Sequence, residues 1–202
     1  HDFVVIEDDY EFETNYVNEP CPALKSLDDA GRVIYVGSFS KTLFPGLRLG
    51  FMTGPARLIR EARALRRLMV RHAPNNNQRT AALFLSLGHH DTLIRRLQRA
   101  YRKRWELMGQ ALDKYLPGCT DMPGFGGTSL WIRGPDWLDS EQLERDALAQ
   151  GIIIEPGRIY FGRRPRPKNF FRLGFSSISD DLIEPGIRLL AEVMERQRPT
   201  GR

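Results

Sequence analysis

Lysine is scarce in this chain. Its 202 residues include 25 arginines but only 5 lysines. One of the five, Lys41, sits in SFSKTLFPGLRLG, between small hydroxyl residues and a Pro-Gly turn. Where arginine is the default cation, a lysine so placed points to its amine rather than to its charge. Cysteine is scarcer still: Cys21 and Cys119 lie far apart and match no metal or redox spacing, which excludes a disulfide framework and makes a reducing cytoplasm the simple expectation. His72, His89 and His90 read as helix-end or loop residues without metal-ligand spacing, so no metal is expected. No apolar run approaches the roughly 20 residues that cross a bilayer, and no membrane partner is expected. Internal repeats and low-complexity segments are also missing.

What remains is the composition of a globular chain with a core, 41% hydrophobic and 27% charged. The formal charge of +5 permits an anionic partner without specifying one. Arg95-Arg96, Arg99 and Arg102-Lys103-Arg104 fall at helical spacing and read as a solvated helix face. No nucleic-acid-binding motif accompanies them or the basic stretch Arg163–Lys168. The sequence opens at His1 without Met and enters an apolar run at once, so a C-terminal fragment of a longer protein is expected.

The run Phe3–Ile6 predicts a buried strand of an α/β sheet, ending in Glu7-Asp8-Asp9-Tyr10. Residues 11–27, with Pro20 and Pro22, read as a surface excursion. Further strands are expected over Arg32–Val36 and Leu47–Met52, then a helix over Arg57–Val70. Asn75–Asn77 is expected to cap a helix beginning near Gln78, with a buried stretch Ala81–Leu87, and Asp91 to cap a long helix ending at Pro117-Gly118. The grammar then changes to strand Thr128–Arg133, a helix capped by Ser140, strand Ile152–Ile154, strand Phe170–Phe175 and a final helix from about Asp181 to Gln197. That order predicts a compact α+β unit. The Trp105, Trp131 and Trp137 rings are expected in the core or at an interface.

An amine becomes a catalytic group by condensing with a carbonyl, and pyridoxal phosphate (PLP) chemistry needs four more partners. These are a carboxylate for the ring nitrogen, a donor for the phenolic oxygen, hydroxyls and an arginine for the phosphate, and a second arginine for the substrate carboxylate. Asp8 or Asp9 follows the first strand with Tyr10 beside it. Ser38, Ser40 and Lys41 follow the second. Arg48 comes seven residues after Lys41, and Arg172 in FFRLGFSS is a candidate second arginine. Ligands bind at the carboxyl ends of strands in open α/β sheets. Alternation sends only one of Asp8 and Asp9 toward such a ligand and does not say which.

The segment SFSKTLFPGLRLG resembles the lysine segment of fold-type I PLP enzymes, the aspartate aminotransferase superfamily. With IEDDYEFE, PALKSLD, NNNQRTAALFL, IEPGRIYF and FFRLGFSSI, nearly the whole chain resembles the aminotransferase-like domain of MocR-type transcriptional regulators, a subgroup of the GntR family. The resemblance implies an α/β fold: part of the large-domain sheet of a fold-type I transferase over residues 1–105, and a small α+β C-terminal domain over 106–202. It implies Lys41 as the aldimine lysine, Asp8 (first of Asp-Asp-Tyr) at the pyridine nitrogen and Tyr10 at the phenolic oxygen. Ser38, Ser40 and Arg48 would hold the phosphate and Arg172 an amino-acid carboxylate. An asparagine among Asn75–Asn77 would reach the other subunit of a homodimer. DNA would be bound only through an N-terminal winged helix absent from this chain, as are the glycine-rich phosphate loop and the aromatic that stacks on the ring. Two functions fit: an effector domain sensing an amino acid or amine, or a metabolic aminotransferase. A scaffold with a dead site is disfavoured by the intact Lys41, Asp8 and Arg48 set.

Overall fold

The computed structural model describes residues 2–19, 21–122 and 124–199; His1 and Pro20 lie outside them. The chain forms two compact units. The first takes residues up to Asn15 and from Glu19 to Gln98, the second Tyr16–Asn18 and residues from Arg99 onward.

The first unit holds β1 (Val5–Asp9), β2 (Val33–Ser38) and β3 (Gly50–Thr53), hydrogen-bonded in the order β1-β2-β3. β1 and β2 are parallel, with Asp8 opposite Val36; β2 and β3 are antiparallel, with Gly37 opposite Phe51. The crossover from β1 to β2 contains short 3-10 turns, and two carboxylates organise it. Glu7 accepts the N–H groups of Leu24 and Lys25 at 2.7 and 2.9 Å. Asp28 accepts those of Arg32 and Val33 and pairs with Lys25. Helices α1 (Ala56–Met69) and α2 (Asn75–Ser86) follow, and α3 (His89–Tyr115) begins here.

Several local expectations shift. β1 starts two residues later than expected, so the acidic residues lie within the strand. Phe3, Val4 and Ile6, expected to be buried, are exposed, because among the described residues nothing covers their face. The expected strand Leu47–Met52 is shortened to β3: Leu47 belongs to a 3-10 turn, and Arg48 adopts the left-handed conformation, which no strand accommodates. Asn75–Asn77 form the first turn of α2 rather than its cap, and of the apolar stretch behind them Ala81 is buried while Leu83, Leu85 and Leu87 are exposed. Asp91 lies in the first turn of α3, whose start is His89.

The second unit contains the rest of α3, then β4 (Ser129–Arg133), α4 (Ser140–Leu148), β5 (Glu155–Pro156), β6 (Phe170–Gly174) and α5 (Asp180–Glu195). Its antiparallel sheet runs β4-β6-β5. The core is dense. Leu130 and Ile132 of β4, Phe171 of β6, Leu143 of α4 and Leu190 and Val193 of α5 are at most 2% exposed. Trp105 and Trp137 pack at its margin, whereas Trp131 stands on the other face of β4 among Tyr160, Phe161 and Phe170. The helix cap expected at Ser140 falls to Asp139, whose carboxylate accepts the N–H groups of Glu141 and Gln142. The strand expected at Ile152–Ile154 does not form; the two-residue strand β5 follows it at Glu155–Pro156. Ile154 is buried without ladder pairing, and Pro156, which has no N–H to donate, keeps the ladder short.

Candidate functional site

The pleat of the first sheet sorts the expected site residues by face. Alternation puts Glu7 and Asp9 on one side of β1 and Ile6, Asp8 and Tyr10 on the other. The register carries the same division to β2, where Val36 and Ser38 share the face of Asp8. The Glu7 face is occupied by local bonds. Glu7 anchors the crossover, and Tyr35 donates its hydroxyl to Asp9 at 3.0 Å. Partial burial and that bond push the Tyr35 phenol up to about 12. The Phe51 ring lies over Gly37 and packs against Tyr35 and Phe39; a Cβ on Gly37 would collide with it. On the opposite face Asp8 and Tyr10 are exposed, and among the described residues the Asp8 carboxylate has no hydrogen-bond or ion-pair partner.

The lysine turn is held by its own alternate residues. Leu47 and Leu49 are buried, and together with Ala81 of α2 they form the small core of this unit, with Phe39, Leu43 and Ala73 packed against it. Burying those positions leaves Lys41 and Arg48 outward. The Ser38 hydroxyl accepts the N–H of Ser40, Leu43 donates its N–H to the Phe39 carbonyl, and Asn77 donates to the Leu47 carbonyl at 2.9 Å. Lys41 Nζ lies 5.9 Å from the centre of the Tyr10 ring and 3.3 Å from Glu11 Oε1. The turn closes on Arg48 at φ 49° and ψ 41°, a conformation that L-residues seldom adopt. No hydrogen bond or ion pair holds the Arg48 side chain among the described residues.

Arg172 belongs to the second unit, in the middle of β6. Its Nε donates to Ser129 Oγ at 3.0 Å, and a terminal nitrogen pairs with Glu155 Oε2 at 2.8 Å. Tyr160 donates its hydroxyl to the other Glu155 oxygen at 2.6 Å. That bond, and then the Arg172 contact, hold the Glu155 carboxyl below its usual range, while Glu155 raises the Tyr160 phenol. Among the described residues, Glu155 and Arg172 are the only charged ones lining an apolar groove of about 670 Å³ between β5, β6 and α5.

Three participants escape a reading of the sequence. Glu11 reaches Lys41 only because a 3-10 turn at Phe12–Thr14 folds the chain back after β1. Glu155 meets Arg172 through cross-strand register, which a two-residue strand does not announce. Thr42, beside Lys41, is buried with no partner for its hydroxyl among the described residues. Of the three asparagines, Asn77 is half-buried and donates to the Leu47 carbonyl, whereas Asn75 and Asn76 are exposed, Asn75 accepting a long bond of 3.5 Å from Gln78.

The donor set fits pyridoxal phosphate. On the face of β1 and in the turn after β2 it offers a carboxylate and a guanidinium that have no partner among the described residues, with a phenol, an amine and two serine hydroxyls. Each answers one functional group of that cofactor.

A family model described as "Aminotransferase class I and II" matches residues 6–190. The chain belongs to this family. The resemblance to MocR-type regulators also holds. The HTH-type transcriptional regulator TauR of Rhodobacter capsulatus is 47% identical across 96% of this chain and 40% of its own length. The probable rhizopine catabolism regulatory protein MocR of Rhizobium meliloti is 34% identical across 94% of this chain and 38% of its own. Among solved aminotransferases, the kynurenine aminotransferase of Pyrococcus horikoshii superposes with a TM-score of 0.87 at 33% identity, over 97% of this chain and 48% of that one. LysN of Thermus thermophilus, an α-aminoadipate aminotransferase solved with N-(5'-phosphopyridoxyl)-L-leucine, gives 0.86 at 30% identity, over 96% of this chain and 50% of that one. The fold is therefore that of the fold-type I aminotransferases, and the chain spans half or less of the length of these relatives. Among the described residues no helix is long and apolar enough to cross a membrane.

Proposed function

We propose that this chain is the PLP-binding, aminotransferase-like effector domain of a MocR-type transcriptional regulator, and that it takes up an amino acid or amine at Lys41. The observation that carries the reading is Lys41 held beside Tyr10, at the ends of the strands that also present Asp8 and Ser38 on one face. The similarity to TauR across 96% of the chain supports regulation over metabolism.

Pyridoxal phosphate, when bound, supplies a carbonyl for a primary amine and a ring that accepts electrons once its nitrogen is protonated. Lys41 provides the resident amine. Asp8 keeps the proton on the ring nitrogen, which is why a carboxylate without another partner is needed there. Tyr10 donates to the phenolic oxygen. Ser38, Ser40 and Arg48 take the phosphate, where a guanidinium matches the oxygen geometry better than an ammonium. Arg172 takes the ligand's carboxylate. The working assembly is a homodimer, with Asn75 or Asn76 available to the partner, and contact with DNA is made by a segment of the full-length protein outside this chain.

The test is to load the full-length protein with pyridoxal phosphate, reduce with borohydride and map the modified peptide by mass spectrometry. The label is expected on Lys41 and is lost in Lys41→Ala; a label elsewhere in that variant overturns the site. A second reading, a metabolic aminotransferase, is favoured by the aromatic-amino-acid aminotransferase 1 of Thermococcus litoralis, 31% identical over 98% of this chain. Catalytic release of 2-oxo acid from amino acids, with no ligand effect on DNA affinity, would select it.

A further inference from the structure

Arg172 is already engaged. Its terminal nitrogen is 2.8 Å from Glu155, its Nε is on Ser129, and strand register, not a flexible loop, sets the first pair. Tyr160 fixes the remaining oxygen of Glu155, so the carboxylate is itself held in place. No other charged residue among those described lines the groove beside them.

We infer that Glu155 is an internal competitor for Arg172, a specificity-determining residue that an acidic ligand must displace from the guanidinium. This rests on the proposed role of Arg172 and adds a cost to it. A ligand's acid group wins only by replacing an ion pair the protein already makes, whereas an amine lacking an acid group meets no such competitor. Glu155 thus lowers affinity for every ligand whose acid group must take Arg172 and leaves amines without an acid group untouched, so it shifts selectivity from acids toward such amines. Both partners are about 40% exposed, which keeps the pair weak and exchangeable.

The experiment titrates the full-length protein with L-alanine, with ethylamine (the same molecule without its acid group) and with acetate, in wild type and Glu155→Gln, by calorimetry and NMR. Loss of an exposed ion pair's competition is expected to tighten L-alanine and acetate binding by about two- to fivefold in Glu155→Gln and to leave ethylamine unchanged. Glu155→Ala gives the same direction, and Arg172→Ala in either background removes the gain. Unchanged or weaker acid binding in both Glu155 variants makes Glu155 a support for Arg172 and overturns the inference. An equal gain for ethylamine, or one that survives Arg172→Ala, also overturns it. Acetate has no amine, so its titration is independent of Lys41. Tighter acetate binding without a borohydride label on Lys41 would sink the proposed cofactor site while leaving the competition standing.

Discussion

Asp8 and Asp9 are chemically alike, adjacent in sequence and sent by the pleat to opposite faces of β1. Asp9 accepts the Tyr35 hydroxyl and belongs to the structure; Asp8 remains available to a ligand. Asp9→Ala is expected to cost about 1 kcal/mol by leaving the phenol without its acceptor, read as a fall in denaturation midpoint, with cofactor affinity retained. Asp8→Asn is expected to do the reverse, weakening pyridoxal phosphate binding at unchanged stability; equal effects from the two variants would refute the division. Tyr35 adds a pH signature. Its folded pKa of about 12 exceeds the unfolded value of about 10, so the folded state holds its proton longer. The stability it contributes is complete below pH ~10 and lost as pH rises toward about 12. Tyr35→Phe should flatten that alkaline limb in thermal scans. The two aspartates also mark a boundary of what the sequence discloses: alternation separates them, but only the Tyr35 bond across the sheet shows which one the structure consumes.

The elements near the candidate site depend on a few close approaches. Gly157, just after β5, has the Phe170 carbonyl and the Trp131 ring each 2.7 Å from where a Cβ would stand. Gly157→Ala must push β5 away from β6, and thus Glu155 away from Arg172. It should lower the melting temperature and disturb the Arg172 side-chain NMR signals together; a silent substitution would mean the turn is more compliant than its packing suggests. In α4 the N-cap is Asp139. Burial alone would raise its carboxyl, but the N–H groups of Gln142 and Glu141 and the Lys168 ammonium prevail and hold it low. Asp139→Ala should cost about 1 kcal/mol at neutral pH. The difference from wild type should shrink as pH falls through the depressed folded pKa, since protonation removes the charge that the helix start attracts. Element types were legible because periodicity and turn residues report them locally. Cap identity was not, since Asp139 and Ser140 are adjacent and either side chain suits a helix start, and the span of β5 was not, since it depends on pairing with β6 from a distant part of the chain.

Across the molecule the two units differ in how much apolar surface they bury for themselves. In the second, Phe171, Phe175, Leu143 and Val193 are fully enclosed. In the first, Phe3, Ile6, Leu65, Leu68 and Met69 are all more than half exposed, and among the described residues none of α1 is buried. Stability scales with area removed from water, so local opening should be easier in the first unit. Hydrogen exchange on the isolated chain is expected to protect amides of β4, β6 and α5 well beyond those of α1 and β1. Uniform protection would show that the exposed apolar faces are covered by self-association. The sequence conveyed the apolar runs that make both outcomes intelligible. It could not show that those of the first unit stay uncovered, because burial depends on which surfaces the chain supplies.

Arg48 ends the lysine turn in a left-handed backbone that glycine would adopt at no steric cost. Arg48→Gly should therefore relax the turn, stabilising the protein by up to ~1 kcal/mol, while removing the guanidinium offered to a phosphate. Selection for folding alone would favour glycine at this position, and a screen for thermostable variants should find it. A screen that also demands cofactor retention should discard it. Arginine at position 48 is then the mark of a compromise, with some thermal tolerance given up for a charge placed where the backbone resists it.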